Sequence, residues 1–300
     1  MVNFTRILCP VDFSDASTHA IEHAVAIGRW YDGTITALHV LEPWAGFEPP
    51  ILFAERGNLA TLRADRAHIG TLLTSSLQPA AAAHVPFTTR IEQGNPAEAV
   101  LKCATELPAD VIVMGSHGRG GFERLILGSV AEKVLHHAPC PVLTVPPKSA
   151  TPARLPFMRL LCAVDFSDPS LQALHVALSM AEESDSELIV LHAIEWPDDE
   201  TFLAESLDTP DTRRHLEQRA LERLDALIPD EARVWCRPSA KVAVGRAYRQ
   251  IVSEANAVSA DLIVIGVQGR SAVNLALFGS TANQVVRRAT CPVLTIRARR

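Results

Sequence analysis

Short apolar runs alternate along this chain with longer segments in which apolar residues recur every three to four positions. That alternation is the signature of strand-helix-strand units wound into a parallel sheet. Strands are predicted near residues 5–11, 34–41, 84–91, 109–114 and 141–145, and helices from Ser14 or Asp15 onward and over roughly 55–78, 97–107 and 128–138. The side-chain oxygens of Ser14 and Asp15 can cap exposed amides, and the first helix then buries Ala20, Ala24, Val25 and Ile27 as one stripe. The runs at 109–114 and 141–145 are apolar almost throughout, as suits strands covered by helices on both faces.

The whole pattern occurs twice. Leu8-Cys9-Pro10-Val11-Asp12-Phe13-Ser14-Asp15 returns as Leu161-Cys162-Ala163-Val164-Asp165-Phe166-Ser167-Asp168, 153 residues later. Asp110-Val111-Ile112-Val113-Met114-Gly115 returns as Asp261-Leu262-Ile263-Val264-Ile265-Gly266, and Cys140-Pro141-Val142-Leu143 as Cys291-Pro292-Val293-Leu294, both at an offset of 151. Pro146 to Pro152 has the proline-rich, polar character of a linker, so the expected domains are 1–147 and 153–300. Each is predicted as an α/β, Rossmann-like unit: a doubly wound, five-stranded parallel sheet. Ligands of such sheets bind beyond the carboxyl ends of the strands, where strand order reverses. The last strands, Val142 to Val145 and Val293 to Ile296, are short apolar edges that invite pairing, so the copies are expected to pack together through them, with a homodimer as a further option.

Candidate chemistry follows the fourth strand. Gly115-Ser116-His117-Gly118 is followed by nine residues and then Gly128-Ser129, and the second copy has Gly266-Val267-Gln268-Gly269, nine residues and Gly279-Ser280. Glycines here are expected to take positive φ and bring bare amides close to a ligand, and a helix starting at Gly128-Ser129 adds the positive end of its dipole. The competing explanation is that the glycines merely let a loop turn and a helix pack against the sheet. Agreement of both copies over the full spacing favours the phosphate site. No G-x-x-x-x-G-K-[ST] loop is present, and no G-x-G-x-x-G turn follows the first strand of either copy, which counts against P-loop enzymes and dinucleotide oxidoreductases.

With these residues in view, the chain resembles the universal stress proteins in their tandem two-domain form. The likeness runs from Val11-Asp12-Phe13-Ser14 through Gly94-Asn95-Pro96-Ala97 and the glycine spacing to Cys140-Pro141-Val142, and the glycine pattern is that of the family's ATP-binding branch. The resemblance implies that Pro10, Asp12 and Val40 lie at the base of an adenine nucleotide and that Met114 and Gly115 line the ribose end. It further implies that His117, Gly118, Gly128, Ser129 and Val130 face phosphates, and that Asp165, Gly266, Gly269, Gly279 and Ser280 form a matching second set. Arg119 and Arg270 follow the second glycine and either reach phosphate or point into solvent. The second copy has Ala193 for Val40, Ala163 for Pro10 and Ser271-Ala272 for Gly120-Gly121, so weaker or altered binding is expected there. The expected ligand is ATP, with Mg²⁺ as an accompanying ion that the Ser129 hydroxyl can help hold.

Composition narrows the partners. The 300 residues are 48% hydrophobic and 21% charged, with a formal net charge of −6, which gives no general attraction to nucleic acid. Arg297, Arg299 and Arg300 read as a solvated tail. No run approaches the ~18 apolar residues of a membrane span, and no signal-peptide core precedes the first strand, so the expectation is a cytoplasmic protein without a membrane partner. The six cysteines form no C-x-x-C pair and read as buried, reduced thiols. His39 and His192 read as hydrogen-bonded strand histidines rather than a metal pair, and His136-His137 suits the negative end of a helix dipole. No residue is assigned a catalytic role. The expected function is that of a nucleotide-responsive stress regulator. Two alternatives stay open: a slow ATPase or self-phosphorylating protein with Ser129 or Ser280 as acceptor, and a scaffold for another small molecule or lipid.

Overall fold

A computed structural model describes residues 3–42, 59–117, 127–147, 157–195, 210–267 and 278–297. The first half runs β1 (Arg6–Pro10), α1 (Asp15–Trp30), β2 (Thr34–Leu41), α2 (Leu59–Ser76), α3 (Gln78–Ala82), β3 (Phe87–Gln93), α4 (Pro96–Glu106), β4 (Val111–Gly115), α5 (Ser129–His137) and β5 (Val142–Val145). The second half repeats it as β6 (Arg159–Ala163), α6 (Asp168–Glu182), β7 (Glu187–Ile194), α7 (Pro210–Asp225), α8 (Ala232–Trp235), β8 (Arg237–Val244), α9 (Ala247–Ala257), β9 (Leu262–Gly266), α10 (Ser280–Arg288) and β10 (Val293–Ile296).

Each half is a parallel five-stranded sheet in which the order turns back on itself between β1 and β4, or between β6 and β9. The two sheets are continuous: the full order is β3-β2-β1-β4-β5-β10-β9-β6-β7-β8. The seam is the antiparallel pair β5–β10, with Leu143 opposite Leu294. Thr144 Oγ1 donates to the Val293 carbonyl at 3.2 Å and Thr295 Oγ1 to the Val142 carbonyl at 3.1 Å, so both buried hydroxyls are satisfied.

Alternation along the strands builds two cores. Ile7, Cys9, Val111 and Val113 face one layer of helices while Leu8, Ile112 and Met114 face the other, and both layers continue across the seam through Leu143 with Leu294 and Val142 with Val293. Ala20, Ala24, Val25 and Ile27 of α1 are buried. Ser14 caps α1 by accepting from the Ser17 amide at 3.2 Å, and Asn95 caps α4 by accepting from Ala97 and Glu98. The third strand lies later than its apolar pattern suggests, at Phe87–Gln93, because His84 turns the chain with φ 58° and Pro86 precedes the strand. Gly94, at φ 134°, ends it.

Candidate functional site

The strand order reverses between β1 and β4, and a cleft of about 940 Å³ opens there at the carboxyl edge. That volume suits a small-molecule ligand of nucleotide size. Pro10, Asp12, Val40, Met114, Gly115, His117, Gly128, Ser129 and Val130 all line it. Gly118 and Arg119 lie outside the described residues, as do Gly120, Gly121, Gln268, Gly269, Arg270, Ser271 and Ala272.

One wall is the turn from β1 into α1. Phe13 takes φ 61°, which swings the chain back so that Asp12 Oδ1 accepts from the Ser14 amide at 3.0 Å and from the Ser14 hydroxyl at 2.6 Å. His39 Nδ1 lies 2.7 Å from the Val11 carbonyl, so this nitrogen carries the proton, and the ring packs against Phe13 at 4.7 Å. Both contacts tie the end of β2 to the end of β1. The second half repeats them: Asp165 Oδ1 accepts from Ser167, Phe166 stands at φ 65°, and His192 Nδ1 is 2.7 Å from the Val164 carbonyl.

The opposite wall comes from β4 and α5. A Cβ on Gly115 would lie 2.8 Å from Ala16 Cβ and 2.9 Å from the Ala16 carbonyl carbon, so this glycine lets the first turn of α1 pack onto β4. A Cβ on Gly266 would likewise lie 2.8 Å from the Pro169 carbonyl carbon and the Ser170 amide nitrogen. The expected positive φ is not found at the later glycines: Gly128 has φ −60° and Gly279 φ −59°, values open to any residue. Nor is the Gly128 amide bare, since it donates to the Ser116 carbonyl at 2.9 Å, and Gly279 donates to Val267 at 2.7 Å. The amides that begin α5 are those of Ser129, Val130 and Ala131, and among the described residues no side chain caps them. First-turn amides without a capping group, at the positive end of a dipole, form an anion site.

His117 has a partner that sequence reasoning missed: its Nδ1 lies 2.8 Å from the hydroxyl of buried Ser116. Burial holds the imidazole below its ordinary pKa, and Nε2 is enclosed without a hydrogen-bond partner among the described residues. Also missed were the carboxylates Glu42 and Glu132, which line the cleft, and the apolar Leu38, Leu72 and Val100. Spacing alone could have flagged Glu132, one turn into the helix after Gly128-Ser129.

The second half has the same parts in place, with Asp165 after β6, Gly266 ending β9, and Gly279 and Ser280 starting α10. One difference was hidden in the sequence. Leu73 and Leu224 are equivalent, fully buried helix positions, which puts Arg223 where the first half has Leu72. The Arg223 guanidinium lies 3.9 Å from the centre of the Phe166 ring.

A doubly wound sheet with a glycine-preceded helix start at the switch point of each half defines a Rossmann-like class of α/β protein, and comparison with known sequences specifies the family. The sequence profile of the universal stress protein family matches residues 3–146 and again 156–297. The chain belongs to that family. A universal stress protein of Mycolicibacterium smegmatis is 28% identical across 98% of this chain and 97% of its own. One from Methanocaldococcus jannaschii is 33% identical over 47% of this chain and 82% of its own length. Among solved structures, a universal stress protein from Archaeoglobus fulgidus superposes over 98% of both chains with a TM-score of 0.68 at 22% identity, a likeness of fold. No helix among the described residues is long and apolar enough to cross a membrane.

Proposed function

We propose that the first half binds an adenine nucleotide, ATP above all, and that the chain is a stress regulator whose partners or shape respond to that ligand. The observation that carries this reading is the uncapped first turn of α5, which opens into the same cleft as Asp12 and Val40. Anion-binding amides stand at one end of the cleft and a partly apolar pocket beside a carboxylate at the other. That polarity matches a nucleotide, with the base near Asp12 and Val40, the ribose near Met114 and Gly115, and phosphates on Ser129 and Val130. Gly118 and Arg119 complete the phosphate end in this reading, and Ser129 helps hold Mg²⁺. The domains are taken as 1–147 and 153–300. The second half, with Ala193 and Ala163 in place of Val40 and Pro10 and with Arg223 over Phe166, binds nucleotide more weakly.

Hydrolysis is a slow timer at most in this scheme. Amides and a helix dipole hold ground state and transition state alike, which tightens binding without speeding chemistry. His117 is a poor base, since its Nδ1 is engaged by Ser116 and its Nε2 is enclosed. Calorimetry with ATP tests the reading: Gly128→Val, which puts a branched side chain beside the first turn of α5, lowers affinity by at least about tenfold, and Gly279→Val costs less. Unchanged ATP affinity in Gly128→Val favours the scaffold alternative. Turnover above about 1 per second, lost in His117→Ala, makes the protein an enzyme instead.

A further inference from the structure

The halves meet at more than a pair of strands. Helix α5, whose first turn lines the cleft of the first half, is touched by at least three residues of the second half among those described. Arg287 on α10 reaches Glu132, the Phe278 ring lies 5.5 Å from the His136 ring, and Arg297 donates to the His136 carbonyl. Of the two α5 residues so contacted, Glu132 lines the cleft.

A carboxylate in the first turn of a helix is favoured by the dipole while the anion site is empty. A phosphate group on the amides of Ser129, Val130 and Ala131 brings a like charge beside it, and Glu132 then opposes binding unless its charge is balanced. The balancing charge comes from the other half of the chain. Arg287 Nη2 stands 3.4 Å from Glu132 Oε1, longer than the ~2.7–2.9 Å of a tight charge-assisted hydrogen bond. Arg287 Nε is buried with no acceptor among the described residues, so the guanidinium is held at the interface with donor capacity to spare. The device runs in one direction only: Asn283 takes the place of Glu132 in the second half, and His136 that of Arg287 in the first.

We infer that Arg287 is a specificity-determining residue of the first half's cleft, supplied by the second half, and that it sets the preference for phosphorylated over unphosphorylated ligands by neutralising Glu132. The inference rests on the nucleotide reading above. It makes the phosphate end of the first site incomplete without its neighbour, and so links the occupancy of that site to the docking of the two halves.

The test is calorimetric titration of the full-length chain with ATP and with adenosine, at low and at high salt. Arg287→Gln lowers ATP affinity about tenfold at low salt, the scale of one uncompensated charge beside a polyphosphate. It leaves adenosine affinity unchanged within about twofold, and the loss shrinks as salt screens the carboxylate. Arg287→Lys keeps most of the preference for ATP. Glu132→Gln raises the ratio of ATP to adenosine affinity, and the Arg287→Gln, Glu132→Gln double variant recovers most of what Arg287→Gln loses. A ratio unchanged in Arg287→Gln, or a double variant as weak as Arg287→Gln, overturns the inference while leaving nucleotide binding intact. Should Arg287→Gln also lose adenosine through misfolding, Glu132→Gln decides alone, and a ratio that stays level or falls overturns the inference. A wild-type chain that binds neither ligand overturns the nucleotide reading itself.

Discussion

Asp12 accepts from both the amide and the hydroxyl of Ser14, so its carboxylate holds the turn into α1 as well as lining the cleft. Asp12→Ala should therefore cost stability, about 1–2 kcal/mol for two hydrogen bonds to a charged acceptor in a partly buried turn, together with ATP affinity. Asp12→Asn keeps an acceptor for Ser14 and should recover stability more fully than affinity, as denaturant unfolding and calorimetry on the same samples will reveal. The cysteines carry a second prediction. Burial pushes the thiols of Cys9, Cys140 and Cys291 up to about 12, and that of Cys162 further in the same direction. An unfolded thiol ionises near pH ~8.5, so between there and about pH 12 the unfolded chain releases protons that the folded chain keeps. Stability is full below pH ~8.5 and falls as pH rises, by up to about 1.4 kcal/mol per pH unit for each such thiol. The urea midpoint should drop measurably between pH 8 and 10, and less so in a Cys9→Ala, Cys162→Ala variant. A midpoint that stays level across that range would contradict the burial of these thiols.

At the scale of elements, the contact of α1 with β4 links packing to the site. Gly115→Ala forces a Cβ to within 2.9 Å of the Ala16 backbone, and Gly266→Ala does the same against Pro169 and Ser170. Overpacking of this kind costs about 1–3 kcal/mol. Because α1 begins at the turn held by Asp12, Gly115→Ala should also weaken ATP binding, whereas Gly266→Ala should lower the melting temperature with little effect on the first site. The same glycines mark what sequence could not reveal. Their spacing pointed to the carboxyl edge of the sheet, where Gly115 and Gly128 line a cleft, since repeated apolar runs and punctuating glycines are local signals. Their reasons were another matter: Gly115 yields to Ala16, and the Gly128 amide belongs to Ser116, contacts made only once the sheet has assembled. The late start of β3 had a local cause, φ 58° at His84: histidine is enriched at positive φ, but that preference is too weak to single out one position in a sequence. Glu132 and Arg287, 155 residues apart in sequence, are neighbours only because two sheets join.

The joined sheet is the feature of the whole molecule that most shapes its behaviour. Strands β5 and β10 would each be an exposed apolar edge on a separate domain, and edges of that kind associate; here each covers the other, with Leu143 and Leu294 buried on the same side of the seam. Both cores run through this junction, so the halves should unfold as one cooperative unit rather than as two domains on a linker. Leu294→Asp tests this directly. A carboxylate in place of a side chain only 2% exposed, with no cation paired to it, should cost more than about 3 kcal/mol. Thr144→Val, which removes only the hydroxyl bond to Val293, should cost about 1 kcal/mol and keep the seam closed. In Leu294→Asp the single thermal transition should split or fall steeply, and small-angle scattering should report a larger radius of gyration as the halves part. Its preference for ATP over adenosine should shrink as well, because Arg287 then no longer reaches Glu132. A variant that parts its halves yet keeps the full preference would mean that the first cleft owes nothing to its neighbour.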